Sequence, residues 1–246
     1  MTEPPVGHGD DPLVALAGAT AHSVIAHTRG RSRRSDYVYD TLSEAIRSIR
    51  MPPGTPLSEP AVAAALHVSR APVREAFTRL ADQGLVTTVP QVGSRVAPVS
   101  TAAVGDAVFI RESLETTALR QALARDDLDL SNLDAHVAAN QAAFEAGDLE
   151  AYFESDEHFH HELFRLAGVP QIWDVLAGIK LQLDRLRRIY LPSAIENPLF
   201  CTEHQQIAHA LHTRDEALGI TVLHAHITRA LNVLESLRET QPTYFQ

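Results

Sequence analysis

The stretch Ser155-Asp156-Glu157-His158-Phe159-His160-His161-Glu162-Leu163-Phe164 places three of the chain's thirteen histidines within four positions. Imidazole nitrogens beside carboxylate oxygens are ligands for divalent metals, so the first question is which of these side chains share a face. At helical spacing an apolar stripe runs through Leu149 and Phe153, then positions 156 and 160, then Leu163, Phe164 and Ala167. Asp156 and His160 therefore face inward, one turn apart, close enough to reach one ion. Glu154, Glu157, His158, His161, Glu162 and Arg165 fall on the side expected to be solvated.

Two ligands do not close a site. Over residues 199–213 the stripe Phe200, Ile207, Leu211 passes through His204, and over 215–239 the stripe Gly219, Val222, Ala230, Val233, Leu237 passes through His226. A lone inward histidine is ordinarily a hydrogen-bonded core residue. Three of them plus an Asp, without sequence-local carboxylate partners, are costly to bury unless they share a cation. Such an Asp/His3 set suits a divalent ion, Zn or Ni above others, and leaves coordination positions open. Arg111 lies on the stripe Val104, Ala107, Leu114, Ala118 and should point inward, where it needs an acid. That acid is either an internal partner, Glu112, Glu115 or one on another helix, or a small carboxylate effector held between metal and guanidinium. Arg187, bordering the Leu183 and Tyr190 face, is a second candidate for the effector. His209, His212 and His224 lie off the stripes and receive no role.

The elements that must position these residues come from the rest of the chain. With 246 residues and 45% apolar content it can build a sizeable core. No uninterrupted apolar run approaches the roughly 18 residues of a membrane span, and the N-terminus lacks a signal-peptide layout, so a cytoplasmic location and no membrane partner are expected. The single cysteine, Cys201, excludes an intrachain disulfide and a Cys-rich zinc set. From 102 onward there is no strand-like alternation. Helices are expected over 102–125, 131–146, 148–167, 170–190, 199–213 and 215–239, an antiparallel bundle of about six.

Net charge is −10, but it is unevenly spread. Residues 29–98 carry ten Arg against six Asp/Glu, whereas the remainder to 246 is strongly acidic, which points to two domains with two tasks. Within the basic part, helical periodicity starts at Tyr37 and stops at Met51-Pro52-Pro53-Gly54. A short helix is expected near 60–66. Ser69 is a suitable N-cap for a third helix, with Pro72 in its first turn, the stripe Val73, Phe77, Leu80, and Gly84 as its stop. Leu85–Val89 and Arg95–Ala97 read as strands around a turn over 90–94. Three helices and a hairpin make a winged helix-turn-helix. Arg70 and Arg74 sit where a recognition helix meets base edges; Arg79 and Arg95 are better placed for phosphates.

The segments PPGTPLSE, AAALHVSRAPVREAFTRLADQGLV and VGSRV resemble, in that order, the DNA-binding domain of the GntR superfamily of bacterial transcription regulators, over roughly 36–98. The resemblance implies operator contacts by Arg70 and Arg74, with Ser69 opening the reading helix, and places Gly93 at a wing tip near the minor groove. Pro60 departs from the basic residue many members carry there. The order Asp-x-x-Phe-His at 156–160, Glu-His at 203–204 and Arg-Asp…His at 214–226 resembles the FCD ligand-binding domain of the FadR-like branch. That resemblance implies a divalent metal on Asp156, His160, His204 and His226, and organic or sugar acids as effectors.

The expected organisation is therefore a disordered arm (1–34), a winged helix-turn-helix domain (35–98), a linker (99–101), a mainly α metal- and effector-binding domain (102–240) and a tail (241–246). The expected function is a homodimeric, DNA-binding regulator, a repressor, that is not an enzyme and whose double-stranded operator binding responds to a small carboxylate at the metal. Two alternatives stand beside it: a metal-dependent hydrolase or lyase, and a regulator with a purely structural metal. Against the enzyme, His160-His161-Glu162-Leu163 is not H-E-x-x-H, because position 165 is Arg165. No Gly-x-Ser-x-Gly elbow is present either.

Overall fold

The computed structural model describes residues 31–89, 93–194 and 196–246. The chain forms two compact units, one running to Val99 and taking back Thr243–Gln246, the other Ser100–Pro242.

In the first unit, α1 (Arg31–Arg47) starts before the apolar periodicity does, so residues 31–34 belong to a helix and not to the expected arm; residues 1–30 lie outside the described ones. Polar anchors explain the early start. Ser35 donates to Glu75 at 2.9 Å and Asp36 pairs with Arg79 at 2.7 Å, contacts that a hydrophobic pattern does not reveal. α2 (Glu59–Ala65) and α3 (Arg70–Asp82) are joined by a tight turn in which His67 takes a left-handed φ of 53°. Ser69 occupies the N-cap position with extended backbone, but its hydroxyl makes no cap bond. α1 packs on α3, burying Val38, Leu42, Ile46, Val73, Phe77 and Leu80.

Gly84, at φ 67°, turns the chain out of α3 into a three-stranded antiparallel sheet. Its strands are β1 (Pro56–Leu57), β2 (Val86–Val89) and β3 (Gly93–Val96), with β3 central and Thr87 opposite Arg95. At two residues, β1 is too short to show an alternation, and the sequence reading missed it. Beyond the sheet, Val99 forms a parallel bridge with Phe245: its N–H donates to Tyr244 at 2.7 Å, and the Gln246 N–H donates to its carbonyl at 3.0 Å.

The second unit is helical: α4 (Thr101–Leu123), α5 (Ser131–Ala146), α6 (Leu149–Leu166), α7 (Gln171–Ile179), α8 (Leu181–Ala194), α9 (Leu199–Thr213) and α10 (Glu216–Thr240). Ser100, Asp148 and Asp215 cap α4, α6 and α10 by accepting a backbone N–H three residues on. Where one helix was expected over 170–190 there are two, so the described residues hold seven bundle helices and not six. The break falls at Lys180, whose ammonium is tied to Asp184 at 2.8 Å and to Glu157. α8 also runs through Pro192, where a stop was expected; so close to the helix end, proline's missing N–H removes only one bond.

α4 packs on α6 and α10, and α9 packs on α5 and α10, which encloses α6's inward face. The approach of α4, α9 and α10 is close. A Cβ on Gly219 would stand 3.2 Å from the Leu119 side chain and 3.3 Å from the Ala210 Cβ. By length and composition α10 could cross a membrane, yet in this bundle it turns Leu223, His226, Ile227 and Leu234 into the protein.

Candidate metal centre and nucleic-acid interface

Three helices converge in the second unit. Asp156 and His160 project from α6, His204 from α9 and His226 from α10, all buried, with one ligand atom of each lying within 4.8 Å of all the others. His204 Nε2 is 3.6 Å from Asp156 Oδ1, His160 Nε2 is 3.9 Å from Asp156 Oδ2, and the Nε2 atoms of His160 and His226 are 3.2 Å apart.

What aims the rings is the opposite nitrogen of each. His160 Nδ1 meets Glu115 on α4 at 2.6 Å, His226 Nδ1 meets Glu203 on α9 at 2.9 Å, and His204 Nδ1 meets Asn140 Oδ1 on α5 at 3.2 Å. A carboxylate accepts, so His160 and His226 carry their protons on Nδ1. Asn140 reaches the same result indirectly. Its amide nitrogen donates to Ser155 Oγ at 3.0 Å and to the Tyr152 carbonyl at 3.2 Å, which leaves its oxygen for His204 and requires a proton on that Nδ1. All three Nε2 lone pairs then point toward Asp156. Two of them face each other, and His204 Nε2 is buried with no hydrogen-bond partner.

Neutral imidazoles so arranged fit a divalent ion: three nitrogens and one carboxylate oxygen, each ring braced from behind as metal-binding histidines are. The electrostatics agree. Burial, followed by Arg111, holds His160 well below its ordinary pKa, and burial with His226 brings His204 down to about 3, so both rings stay unprotonated. Burial alone would raise Asp156, but Arg187 overcomes it and keeps the carboxylate ionised.

Glu115, Asn140 and Glu203 were not singled out as ring-bracing groups in the sequence, although signals exist. Glu115 is one turn beyond Arg111, Glu203 adjoins His204, and Asn140 lies seven residues after buried Leu133, a polar residue on an apolar stripe. Of the two readings open for Arg111, the internal partner is present: its Nε pairs with Glu115. One guanidinium nitrogen, Nη2, is nevertheless buried without a partner. Arg187 is engaged by Asp156, by Glu157 at 2.6 Å and by Asp184 at 3.8 Å. The expected solvated side of α6 is partly covered. Glu157 receives Lys180 and Arg187 from the α7–α8 region, and Glu162 is buried against Arg165. His212 and His224 make exposed pairs with Asp134 and Glu112. A cavity of about 60 Å³ borders the centre, and Arg111, Asp156, Arg187 and His226 are among the residues that line it.

In the first unit, Arg70 and Arg95 are exposed and carry no ion pair among the described residues. Arg74 is exposed on the same helix but hydrogen-bonds Glu59 at 3.2 Å. Arg79 is turned onto α1, pairing with Asp36 and lying 3.9 Å over the Tyr39 ring. Gly93, at φ 114°, opens β3 with nothing within 4 Å of where a Cβ would sit. The turn residues 90–92 lie outside the described ones.

Residues 34–96 match the family model for bacterial regulatory proteins of the gntR family, and residues 106–229 match that for the FCD domain. An HTH-type transcriptional regulator in an unstable DNA locus of Streptomyces ambofaciens is 35% identical over 90% of this chain and 93% of its own. The HTH-type transcriptional repressor RspR of Escherichia coli is 31% identical over 85% of this chain and 92% of its own. Among solved structures, a GntR transcriptional regulator from Rhodococcus sp. RHA1 shares the fold with a TM-score of 0.68 and 24% identity, covering 82% of this chain and 98% of that one.

Proposed function

We propose a function that starts from one premise: the chain belongs to the gntR family of bacterial regulatory proteins, carries an FCD domain, and is a DNA-binding transcriptional regulator and not an enzyme. On that premise it is a homodimeric repressor whose operator affinity is set by a small carboxylate bound beside a divalent metal, Zn or Ni, in the helical unit. The observation that carries this reading is the set of three braced imidazoles gathered with Asp156 beside a cavity that Asp156 and His226 help to line. A bound ion supplies a Lewis-acidic anchor for an anionic oxygen. The chain's own part is to orient the four ligands through Glu115, Asn140, Glu203 and Arg187, and to offer the buried Arg111 Nη2 as a second anchor. Repression accords with the name of the E. coli relative.

On DNA, Arg70 and Arg74 read base edges from the start of α3, with Ser69 at its N-terminus, while Arg79, Arg95 and Gly93 meet the backbone and the minor groove. One winged helix reads a half-site, so a two-fold dimer reads a palindrome. An effector that binds one arrangement of the dimer more tightly shifts operator affinity by its differential affinity and no more.

The test is operator selection from a random duplex pool, followed by affinity measurements with Zn- or Ni-loaded protein across a panel of carboxylates. A palindromic operator whose affinity changes by about 5- to 150-fold with a carboxylate, in wild type and not in His204→Ala, is expected. Unchanged affinity across the panel would leave a regulator without this trigger.

A further inference from the structure

The chain passes between its two units twice, at Val99–Ser100 and again at Pro242–Thr243, because its last four residues belong with the winged helix and not with the helices they follow. Backbone pairing holds them there. The Val99 N–H donates to the Tyr244 carbonyl at 2.7 Å and the Gln246 N–H donates to the Val99 carbonyl at 3.0 Å, a parallel bridge between Val99 and Phe245. Val99 is fully buried, and Tyr244 and Phe245 are half-buried. The sheet is close by in the chain: β3 ends at Val96, and the Ala97 N–H donates to the Leu85 carbonyl at 2.9 Å.

The two stretches that leave this bridge are the start of α4, at Thr101, and the end of α10, at Thr240. The pairs Glu112–His224 at 3.2 Å and Arg120–Glu216 at 3.3 Å set these helices antiparallel, so the first turn of α4 lies beside the last turns of α10. The same two helices reach the metal centre. α10 carries His226, and α4 carries Glu115, which braces His160.

Loop entropy decides whether the tail could pair without the folded bundle. Val99 and Phe245 enclose a loop of about 145 residues, and closing it with its helices unfolded is disfavoured on the order of 10³-fold. The two backbone hydrogen bonds contribute only about 2- to 13-fold each. Half-burial of two rings is set against the ordering of four tail residues. The pairing therefore needs the folded bundle, in which α4 and α10 already hold the two ends of the loop side by side.

We propose that residues 243–246 are a strap: they stabilise the winged helix only while α4 and α10 are packed together, and so carry the state of the metal-binding bundle to the DNA-binding unit. By linkage the folded winged helix stabilises the α4–α10 pair to the same extent. The strap supplies a route for the regulation proposed above, but its existence requires no metal.

The test is urea unfolding of the full-length, metal-free protein beside a variant that ends at Pro242, with one probe in each unit. Fluorescence of Trp173 on α7, the chain's one tryptophan, follows the bundle, and hydrogen exchange of the α3 amides follows the winged helix. In wild type the two transitions should coincide. In the variant the α3 amides should lose about 10- to 100-fold in protection and unfold separately from Trp173. A variant lacking only Gln246 gives up one of the two bonds, should lose about 2- to 13-fold, and keeps the comparison open if the shorter chain does not fold. Stoichiometric Zn²⁺, whose proposed ligands all lie in the bundle, should raise both transitions in wild type and that of Trp173 alone in the variant ending at Pro242. Transitions that coincide in both proteins, or part in both, overturn the strap. A Trp173 transition unmoved by Zn²⁺ overturns the metal reading instead, and the metal-free comparison still decides the strap.

Discussion

The Nε2 atoms of His160 and His226 lie 3.2 Å apart, while Nδ1 of each ring faces a buried carboxylate, Glu115 in one case and Glu203 in the other. With both protons drawn to Nδ1, two lone pairs confront each other inside the protein, an arrangement that favours a shared cation. Chelation of the purified protein should therefore lower Tm, and stoichiometric Zn²⁺ or Ni²⁺ should restore it. At free metal 100 times Kd the stabilisation is about 2.7 kcal/mol. His226→Ala should lose the response, as read by metal analysis and thermal melts together. A Tm indifferent to both chelator and metal would remove the metal from this centre.

Asn140 gives a second test, because it touches no ligand atom that faces the centre. Asn140→Ala releases His204 Nδ1 and the Ser155 hydroxyl together. Metal affinity should drop about 10- to 100-fold, as for other outer-shell partners, with a stability loss of about 1–3 kcal/mol in the metal-free protein. Unaltered affinity in a folded Asn140→Ala protein would mean that packing against Phe159, 4.2 Å away between ring centroids, suffices to orient His204.

The metal-free protein should also be acid-sensitive in a defined window. His204 falls to about 3 in the folded state, below the ordinary histidine value of about 6.5 that applies once unfolded. Between those values the unfolded chain binds the extra proton, so stability is retained above about 6.5 and lost as pH falls below it. His160 moves in the same direction. The slope approaches about 1.4 kcal/mol per pH unit for each such ring. Urea melts of chelated protein from pH 7.5 to 4.5 should show it, and a flat profile would mean that these rings are solvated in the metal-free state.

Much of this centre was legible before any coordinates, because ligands carried on long amphipathic helices inherit the helical period. Asp156, His160, His204 and His226 each sit on a stripe of apolar residues, and burial follows the stripe. The groups around them were less legible for a physical reason: Glu157 and Glu162 lie off the stripe of α6, and what buries them is charge pairing with Lys180, Arg187 and Arg165, which periodicity does not register. The same cause hid the break at Lys180. The early start of α1 rests on Ser35 and Asp36 meeting α3, again polar contacts at long sequence separation. β1 depends on pairing with β3 and has no period of its own.

Lys180 should matter to the fold although it pairs with none of the four ligands. Lys180 is almost fully buried and holds Glu157 and Asp184 together on adjoining helices. Lys180→Met keeps the volume but takes one of the cations from Glu157 and Asp184, which keep Arg187, so a loss of about 1–3 kcal/mol is expected in denaturant melts. Lys180→Met/Asp184→Leu, which removes a carboxylate along with the ammonium, should recover part of that loss. A single mutant as stable as wild type would indicate that water reaches this network.

The four arginines proposed for DNA should separate by what else they hold. Arg70 is free of ion pairs among the described residues, so Arg70→Ala should leave Tm unchanged, weaken operator binding by about 1–3 kcal/mol and relax base preference at one position of each half-site. Arg79 already pairs with Asp36 and covers Tyr39. Both contacts are partly exposed, so Arg79→Ala should cost the winged-helix unit only about 1 kcal/mol, and it should reduce DNA affinity evenly across sequences. Titrations against selected and scrambled duplexes over a range of salt concentrations distinguish the two. If Arg79→Ala altered base preference while Arg70→Ala did not, α3 would have to present its C-terminal half to the groove, and the assignment of the reading residues would be reversed.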